Sequence, residues 1–522
     1  MPGHLFIVKG DVTRLACDAW LLPCDTRGRP RAQWLAGTPG AGDVRWPARP
    51  PEWERGEARA IEVTAWPADA PRPWLVNVGA AEGTDVGWFI AGASEFLDRV
   101  ADRLRERTPR HGRAKPLVAL PILGTGGGGA KRSAGDVVRE LLPALRERAR
   151  RHSVDVALVA RAEAAFAAAQ AERSRTEGAD PWAELPRPLR EEVERIAGHA
   201  ARGRLVLFVG GGVGRGAGLP LWDEMLDQLA MQARMTAGER RALGDLDPID
   251  RARIIGKRLD GVELGDAVAR LLGRVQHHSI SHALLAALPV SEIVTTNYDC
   301  LFEQASTAAG IPVRVLPGEP AHEEGRWLLK MHGSIDRPRE IVLTREDYLR
   351  YEQRRAALAG IVQALLMTRH MLFVGFALRD DNFHRIADAV RKAIHPADDA
   401  DGAQKRIRFG TALVLLHNPL QEELWQDDLH WTPVWELGAG EDQAAAEAQA
   451  GRRLEIFLDC LLARTSSVSY LLHPDFRAVL SAGERTLADT LREFTERVPS
   501  DARSAPAWLR IELLLRSLGL QG

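Results

Sequence analysis

Short apolar runs alternate with helical patterns along most of the chain. In the first part, buried strands are predicted at residues 4–9, 18–23, 74–79, 117–122 and 154–160. A second series of strands is predicted at residues 204–210, 291–297, 327–332, 370–376, 412–417 and 432–437. Because strands that alternate with helices form sheets with parallel segments, the pattern predicts an α/β protein.

The two series of strands predict two α/β domains. The smaller domain spans residues 1–160, and a doubly wound domain spans residues 185–440. The polar, alanine-rich stretch 161–184 is a linker, either a packed helix or a loose tether. Residues 441–522 show helical patterns only, which suit a cap, an oligomerisation surface or a partner-binding segment.

Composition is typical of a globular protein, with 45% apolar and 27% charged residues. A net charge of −2 provides no global basic field for nucleic acid or anionic lipid. The four cysteines form no C-x-x-C pair, so we expect neither a metal site nor a disulfide framework. The chain starts without a signal-peptide pattern and contains no long apolar run, so we expect a cytoplasmic protein that does not enter the membrane.

The segment LFVGGGVGRGAGLP, residues 207–220, has six glycines between Gly210 and Gly218, directly after a predicted strand. Glycines allow backbone N–H groups to close around a phosphate, although many tight turns carry glycine for steric reasons only. The common dinucleotide fingerprint needs an acidic residue about 20 positions onward, at the end of a strand. In this chain that position falls within a helical pattern. A P-loop is also excluded, because no Lys-Ser/Thr pair follows the glycines.

Polar side chains follow three more predicted strands, in the motifs TTNYD (295–299), KMHGS (330–334) and GFALRDDN (375–382). In a doubly wound sheet the ligand lies beyond the carboxyl ends of the strands, where these motifs are placed. Taken singly, each motif has another explanation, since Asn and Asp often cap helices and a turn histidine is often structural. The occurrence of four such motifs in order favours a ligand site.

The order of the four motifs resembles the sirtuin-like NAD-binding domain in its zinc-less bacterial branch, over about residues 190–440. The resemblance implies a Rossmann-like core that takes NAD+ as its substrate. It implies that Asn297 and His332 are the catalytic pair. The implied cofactor-binding residues lie at strand ends: Gly210, Gly211 and Gly212 at the phosphates, Asp299 at the nicotinamide ribose, and Gly375 and Asp380 around the adenosine.

Chemistry supports the same pair. Cleavage of nicotinamide from NAD+ passes through an oxocarbenium-like state, as glycoside cleavage does. The amide of Asn297 can orient a ribose hydroxyl or a water, and the imidazole of His332 can accept a proton near neutral pH. Because the cysteine-held zinc of the protein-deacylating sirtuins is missing, the resemblance favours NAD+ hydrolysis in antiphage defence. NAD-dependent deacylation or ADP-ribosyl transfer, and NAD sensing without turnover, remain alternatives.

The N-terminal region also has a phosphate-loop pattern. KGDVTRLACDAWLLPCD (9–25) and LPILGTGGGGA (120–130) resemble a macro domain, the fold that binds ADP-ribose. The resemblance implies one residue at the adenine and four at the diphosphate: Asp11, and Gly124, Thr125, Gly126 and Gly127. Asp25 stands where the family has a catalytic Asn, so we expect binding of ADP-ribose or a signal nucleotide, or a scaffold that binds nothing. We also expect a homo-oligomer that a phage or defence-system trigger activates.

Overall fold

A computed structural model of the chain describes residues 1–36, 44–79, 85–123, 133–175, 180–320, 325–394 and 408–521. The chain forms two compact units. The N-terminal unit comprises Met1–Glu184, Ala308–Gly310 and Ser466–Gly522, and the central unit comprises Leu185–Thr307 and Ile311–Thr465. The helical segment predicted at 441–522 is therefore divided between the two units.

The N-terminal unit contains a six-stranded sheet. Its strands are β1 (Leu5–Lys9), β2 (Ala19–Cys24), β3 (Ala60–Glu62), β4 (Arg72–Asn77), β5 (Leu117–Pro121) and β6 (Asp155–Ala160). The spatial order is β1-β6-β5-β2-β4-β3, and every pair is parallel except β3 with β4. The five predicted strands are present, whereas the three-residue β3 was not predicted because it carries too short an apolar run.

Helices cover this first sheet. The helices of the first 184 residues are α1 (Pro51–Glu54), α2 (Val86–Leu104), α3 (Ala134–His152) and α4 (Glu163–Arg175). Helix α4 lies in the stretch predicted as a linker, and it packs against β1 and β6 with residues 165–170 buried. Residues 163–175 thus form a packed helix of the N-terminal unit, because their alanines allow a close approach to the sheet.

The central unit contains a seven-stranded sheet. Its strands are β7 (Leu205–Val209), β8 (Glu292–Thr295), β9 (Arg314–Leu316), β10 (Trp327–Lys330), β11 (His370–Val374), β12 (Gly410–Leu416) and β13 (Leu429–Trp435). All pairs are parallel, in the order β13-β12-β11-β7-β8-β10-β9. From β7 the chain builds outward first through β8 and later through β11, so the strand order reverses beside β7. Ligands of doubly wound sheets bind at such a point.

Twelve helices of the central unit lie within its described residues. They are α5 (Arg187–Ala201), α6 (Trp222–Gln232), α7 (Ala237–Gly244), α8 (Pro248–Arg258), α9 (Leu264–Leu272), α10 (Ile280–Ala287), α11 (Leu301–Ala308), α12 (Arg345–Leu349), α13 (Tyr351–Thr368), α14 (Asp381–Ile394), α15 (Pro419–Trp425) and α16 (Gln443–Arg464). The aromatic rings of Phe208, Phe373 and Phe383 meet at the centre of one face of the sheet, with centroids 5.2–5.4 Å apart. Such interlocking aromatic packing fixes β7, β11 and α14 against one another.

Two more helices complete the chain, α17 (Ala482–Arg497) and α18 (Pro506–Ser517), both in the N-terminal unit. No helix in the described ranges combines the length and the apolar composition needed to cross a membrane. The predicted α/β class, with a doubly wound sheet after a smaller sheet and a helical C-terminal region, is confirmed.

Candidate active site

Asn297 and His332 each follow the end of one of two neighbouring strands. Thr295 of β8 pairs with Lys330 of β10, and the ladder continues through a hydrogen bond from the Met331 N–H to the Thr295 carbonyl. Asn297 follows Thr295 by two positions, and His332 follows Lys330 by two. Because parallel strands in register end at one edge, both residues emerge at the carboxyl edge of the sheet.

The glycine turn after β7 is packed against the turn after β11. The Gly210 N–H donates to the Val374 carbonyl and the Gly212 N–H donates to the Gly375 carbonyl, both at 2.9 Å. A Cβ atom at Gly210 would lie 2.4 Å from the Gly375 oxygen, and Gly375 itself has a φ of 65°. At Gly211, by contrast, the nearest atom to a Cβ would be an Asn297 oxygen at 3.9 Å. The glycines at 210, 212 and 375 thus permit close backbone packing, and Gly211 faces the open side.

Asn297 is fixed against the glycine turn. Its Nδ2 donates to the Gly210 carbonyl at 3.1 Å, while its backbone N–H donates to the Thr295 hydroxyl at 3.0 Å. The Thr295 hydroxyl in turn donates to the carbonyl of Val209 at 2.7 Å. Since the nitrogen of the amide is engaged, Oδ1 is the atom that is directed toward Gly211 and left for a ligand.

His332 is buried among polar and aromatic side chains. Its Nε2 lies 3.5 Å from Oδ2 of Asp380 and 3.4 Å from Nδ2 of Asn382. The rings of Tyr348 and Tyr351 meet the imidazole edge-on, with centroids 5.6 and 5.9 Å away. Burial lowers the pKa of His332, and the Asp380 carboxylate opposes that shift. The imidazole is therefore neutral near pH 7 and able to act as a base.

The Asp380 carboxylate is held by two further donors. The Tyr348 hydroxyl donates to Oδ2 and the Phe383 N–H donates to Oδ1, each at 2.9 Å. The carboxylate lies beside His332, and the place around the adenosine that the family resemblance implied for it stays a prediction. Sequence reasoning missed this contact, because 47 residues of intervening chain separate the two.

Asp299 is buried and caps helix α11. Its Oδ1 accepts a hydrogen bond from the Leu301 N–H at 3.0 Å, and burial raises the pKa of its carboxyl group. Its backbone carbonyl accepts from Lys330 Nζ at 2.6 Å, and the same ammonium pairs with Glu303 Oε1 at 2.7 Å. The Lys330–Glu303 pair therefore joins helix α11 to the end of β10. Sequence reasoning missed it, although a lysine at the end of the apolar strand WLLK was an available signal.

In the N-terminal unit, Asp11 follows β1. Its Oδ1 accepts from the N–H and hydroxyl of Thr13 at 3.0 and 2.8 Å, and its Oδ2 lies 3.1 Å from Arg161. The predicted diphosphate loop lies outside the described residues: Gly124, Thr125, Gly126 and Gly127.

The central unit is an α/β fold with a parallel doubly wound sheet and a glycine turn at its switch point, an arrangement typical of nucleotide-binding proteins. Comparison with known proteins is more specific. Residues 291–428 match the family model described as SIR2-like domain. The match confirms the sirtuin resemblance over those residues.

Individual relatives agree with the family match. The chain is 25% identical over 209 residues to Defense-associated sirtuin 2 of Bacillus subtilis, covering 39% of this chain and 21% of that protein. It is 28% identical over 205 residues to the NAD(+) hydrolase ThsA of Enterococcus faecium, covering 38% of this chain and 42% of that protein. The chain thus spans less than half the length of each relative.

One solved structure was also found to be similar. The macrodomain of Thermus aquaticus DarG is 20% identical and covers 30% of this chain and 98% of its own, with a TM-score of 0.21.

Proposed function

We propose that this chain is an NAD+ hydrolase that releases nicotinamide and ADP-ribose. The observation that carries the proposal is the hydrogen bond from Asn297 to Gly210, with His332 just beyond the end of the neighbouring strand β10. This arrangement joins a backbone turn suited to a diphosphate to the two side chains suited to ribose chemistry. The names of the relatives, NAD(+) hydrolase and defence-associated sirtuin, support the same activity.

In the proposed reaction, the bond between ribose C1′ and the nicotinamide nitrogen breaks, and nicotinamide leaves with the bonding pair. Water adds to C1′, and His332 takes one of its protons as general base. Asn297 orients that water or a ribose hydroxyl through Oδ1. The turn of Gly210, Gly211 and Gly212 holds the diphosphate against its open side at Gly211, and Gly375 supports the turn from behind.

Two more residues of the loops around the site have a structural part in the proposal. Asp299 fixes the loop that presents Asn297 to the nicotinamide ribose, because it caps the helix that follows. Gly214 has no side chain to offer a ligand, and a Cβ there would meet Leu219 at 2.8 Å. The turn therefore recognises the diphosphate through main-chain groups.

We further propose that hydrolysis serves antiviral defence by depleting NAD+ in the cytoplasm. A hydrolase that was always active would harm its own host, so the proposal includes a trigger that raises activity during infection. Nicotinamide release before and after addition of extracts from phage-infected cells would test for such a trigger. Equal rates in infected and uninfected extracts would contradict it.

The activity is tested with the full-length chain and NAD+. Nicotinamide is followed by chromatography, first with NAD+ alone and then with an acylated peptide. Release without peptide is expected, and release only with peptide would indicate transfer instead. His332→Ala is expected to abolish release while circular dichroism stays unchanged. Binding of NAD+ without release by the natural protein would overturn the hydrolase.

For the N-terminal unit we propose binding of ADP-ribose, with Asp11 at the adenine. Calorimetry of the full chain with ADP-ribose is expected to show binding that Asp11→Ala weakens. Arg161→Ala, which removes the ion-pair partner of Asp11 and keeps the carboxylate, is the matched control and is expected to bind. Equal heats from the natural chain and Asp11→Ala would contradict the assignment.

A further inference from the structure

One nitrogen of His332 lies against a carboxylate that the proposed reaction does not yet use. Nε2 is 3.5 Å from Oδ2 of Asp380, and both side chains are largely shielded from solvent. Hydrogen bonds of catalytic groups are often long before substrate binds. The separation is therefore consistent with a donor–acceptor pair that tightens in the substrate complex.

The Asp380 carboxylate is held from two elements. The Tyr348 hydroxyl of α12 donates to Oδ2, and the Phe383 N–H in the first turn of α14 donates to Oδ1. A carboxylate oxygen accepts more than one hydrogen bond, so Oδ2 retains a lone pair for Nε2–H. The orientation of the carboxylate is thus set before the imidazole acts.

Two side chains that contact His332 each carry a buried polar atom without a hydrogen-bond partner in the part of the chain that the structure describes. Oδ1 of Asn382 and the hydroxyl of Tyr351 are buried and have no hydrogen-bond partner among the described residues. Unpaired buried polar groups are unfavourable unless a ligand or water pairs with them. Rotation of the Asn382 amide by half a turn would bring Oδ1 to Nε2, since the two ends of an amide are interchangeable in shape.

We infer that Asp380 is a positioning residue, which keeps a proton on Nε2 of His332 and stabilises the imidazolium that forms when Nδ1 takes a proton from water. This inference rests on the proposed hydrolase activity. The proton balance is closed, because the proton from water goes to Nδ1 and the proton on Nε2 stays in place. Asp380 touches the reacting atoms only through His332.

The charged and titratable groups around the ring come from several elements. Asp380 stabilises the imidazolium, whereas Arg355 of α13 opposes it. The phenols of Tyr348, Tyr351 and Tyr298 stay neutral, since burial raises the pKa of each. Asp380 is therefore the group that favours the protonated ring, and its removal is expected to make His332 a weaker base.

The test measures kcat and KM for nicotinamide release across pH, using the full chain. Asp380→Asn is expected to lower kcat about 100-fold with little change in KM, and to move the acidic limb of the profile to lower pH. Tyr348→Phe removes a donor but keeps the carboxylate, so the limb is expected to move to higher pH. Asp381→Asn, with the same change of charge one residue along, is the matched control and is expected to keep the natural profile. Asp380→Glu is expected to recover part of kcat.

The outcomes separate the two proposals. An inactive natural enzyme would overturn the hydrolase itself. An active natural enzyme, together with an unshifted profile in folded Asp380→Asn and Tyr348→Phe, would overturn the role of Asp380 alone. Should Asp380→Asn fail to fold, Tyr348→Phe decides: a profile shifted to higher pH supports the role, and an unshifted one overturns it.

Discussion

Asn297 donates a hydrogen bond from its side-chain Nδ2 to the carbonyl oxygen of Gly210 at 3.1 Å. The bond joins the loop after β8 to the glycine turn after β7, although 87 positions separate the two residues. It leaves Oδ1 as the atom of the amide that can meet substrate. The proposed ribose and diphosphate sites are therefore one connected structure.

Removal of the Asn297 amide is expected to stop catalysis. Asn297→Ala should reduce nicotinamide release about 100-fold or more, as loss of one preorganised polar group at a reacting centre does. Asn297→Asp keeps the size but cannot donate to Gly210, so it is also expected to be impaired. Chromatographic rates, with circular dichroism as the folding control, measure both. Full activity of the Asp variant would show that the donor is not required.

Addition of one methyl group at Gly210 is expected to damage the turn. A Cβ there would lie 2.4 Å from the Gly375 oxygen, and such overpacking costs about 1–3 kcal/mol of unfolding free energy. Gly238→Ala is the matched control, because a Cβ at Gly238 meets nothing within 4 Å. Urea unfolding and NAD+ binding are measured for both. Equal stability and binding would refute the close packing of the two turns.

Loss of one partner of the Lys330–Glu303 ion pair is expected to destabilise the fold more than loss of both partners. Lys330→Met leaves the Glu303 carboxylate without its counter-charge in a buried place, which should lower the free energy of unfolding by about 3–5 kcal/mol. The double variant Lys330→Met/Glu303→Leu is expected to recover much of that loss, since neither charge is then buried alone. Urea denaturation of the single and double variants measures the coupling. Additive losses would argue against a direct interaction.

Acid is expected to destabilise the central unit at the amino end of its sheet, opposite the edge that holds the candidate site. The rings of His199 and His370 stack with centroids 4.0 Å apart, and His430 lies nearby. Burial and neighbouring cations lower the pKa of His430 to about 4, and burial, then His199, lowers that of His370 to about 2. Both are therefore neutral in the folded chain, whereas in the unfolded chain they bind protons below about pH 6.5. The stability is fully present above that pH and falls as the pH drops toward 4.

The urea midpoint tests this pH dependence. The urea midpoint should decrease as the pH is lowered from about 7.5 to about 5. His370→Phe should make this decrease smaller, because one buried imidazole no longer has to stay neutral. The control is His384→Phe, because the His384 ring packs against Trp425, with centroids 5.2 Å apart. A midpoint that is independent of pH over this range would contradict the expectation.

Much of the fold followed from local pattern. The apolar runs at LVLFV and HMLFV formed β7 and β11, because a strand buried on both faces by helices has to be apolar at every position. The short strands β3 and β9 were missed, since three residues carry too little pattern. The positions of Asn297 and His332 at strand ends followed in the same way.

The sequence by itself determined the class of the fold and the strand ends at which the polar motifs emerge, because hydrophobic periodicity and glycine content are local properties. Only the tertiary structure decided which of those groups meet. It placed Asp380 beside His332, set Lys330 against Glu303 and packed Gly210 on Gly375. Contacts of this kind depend on the paths of the loops between strands and on how side chains pack in a shared buried volume. Neither can be predicted from the sequence pattern of one segment.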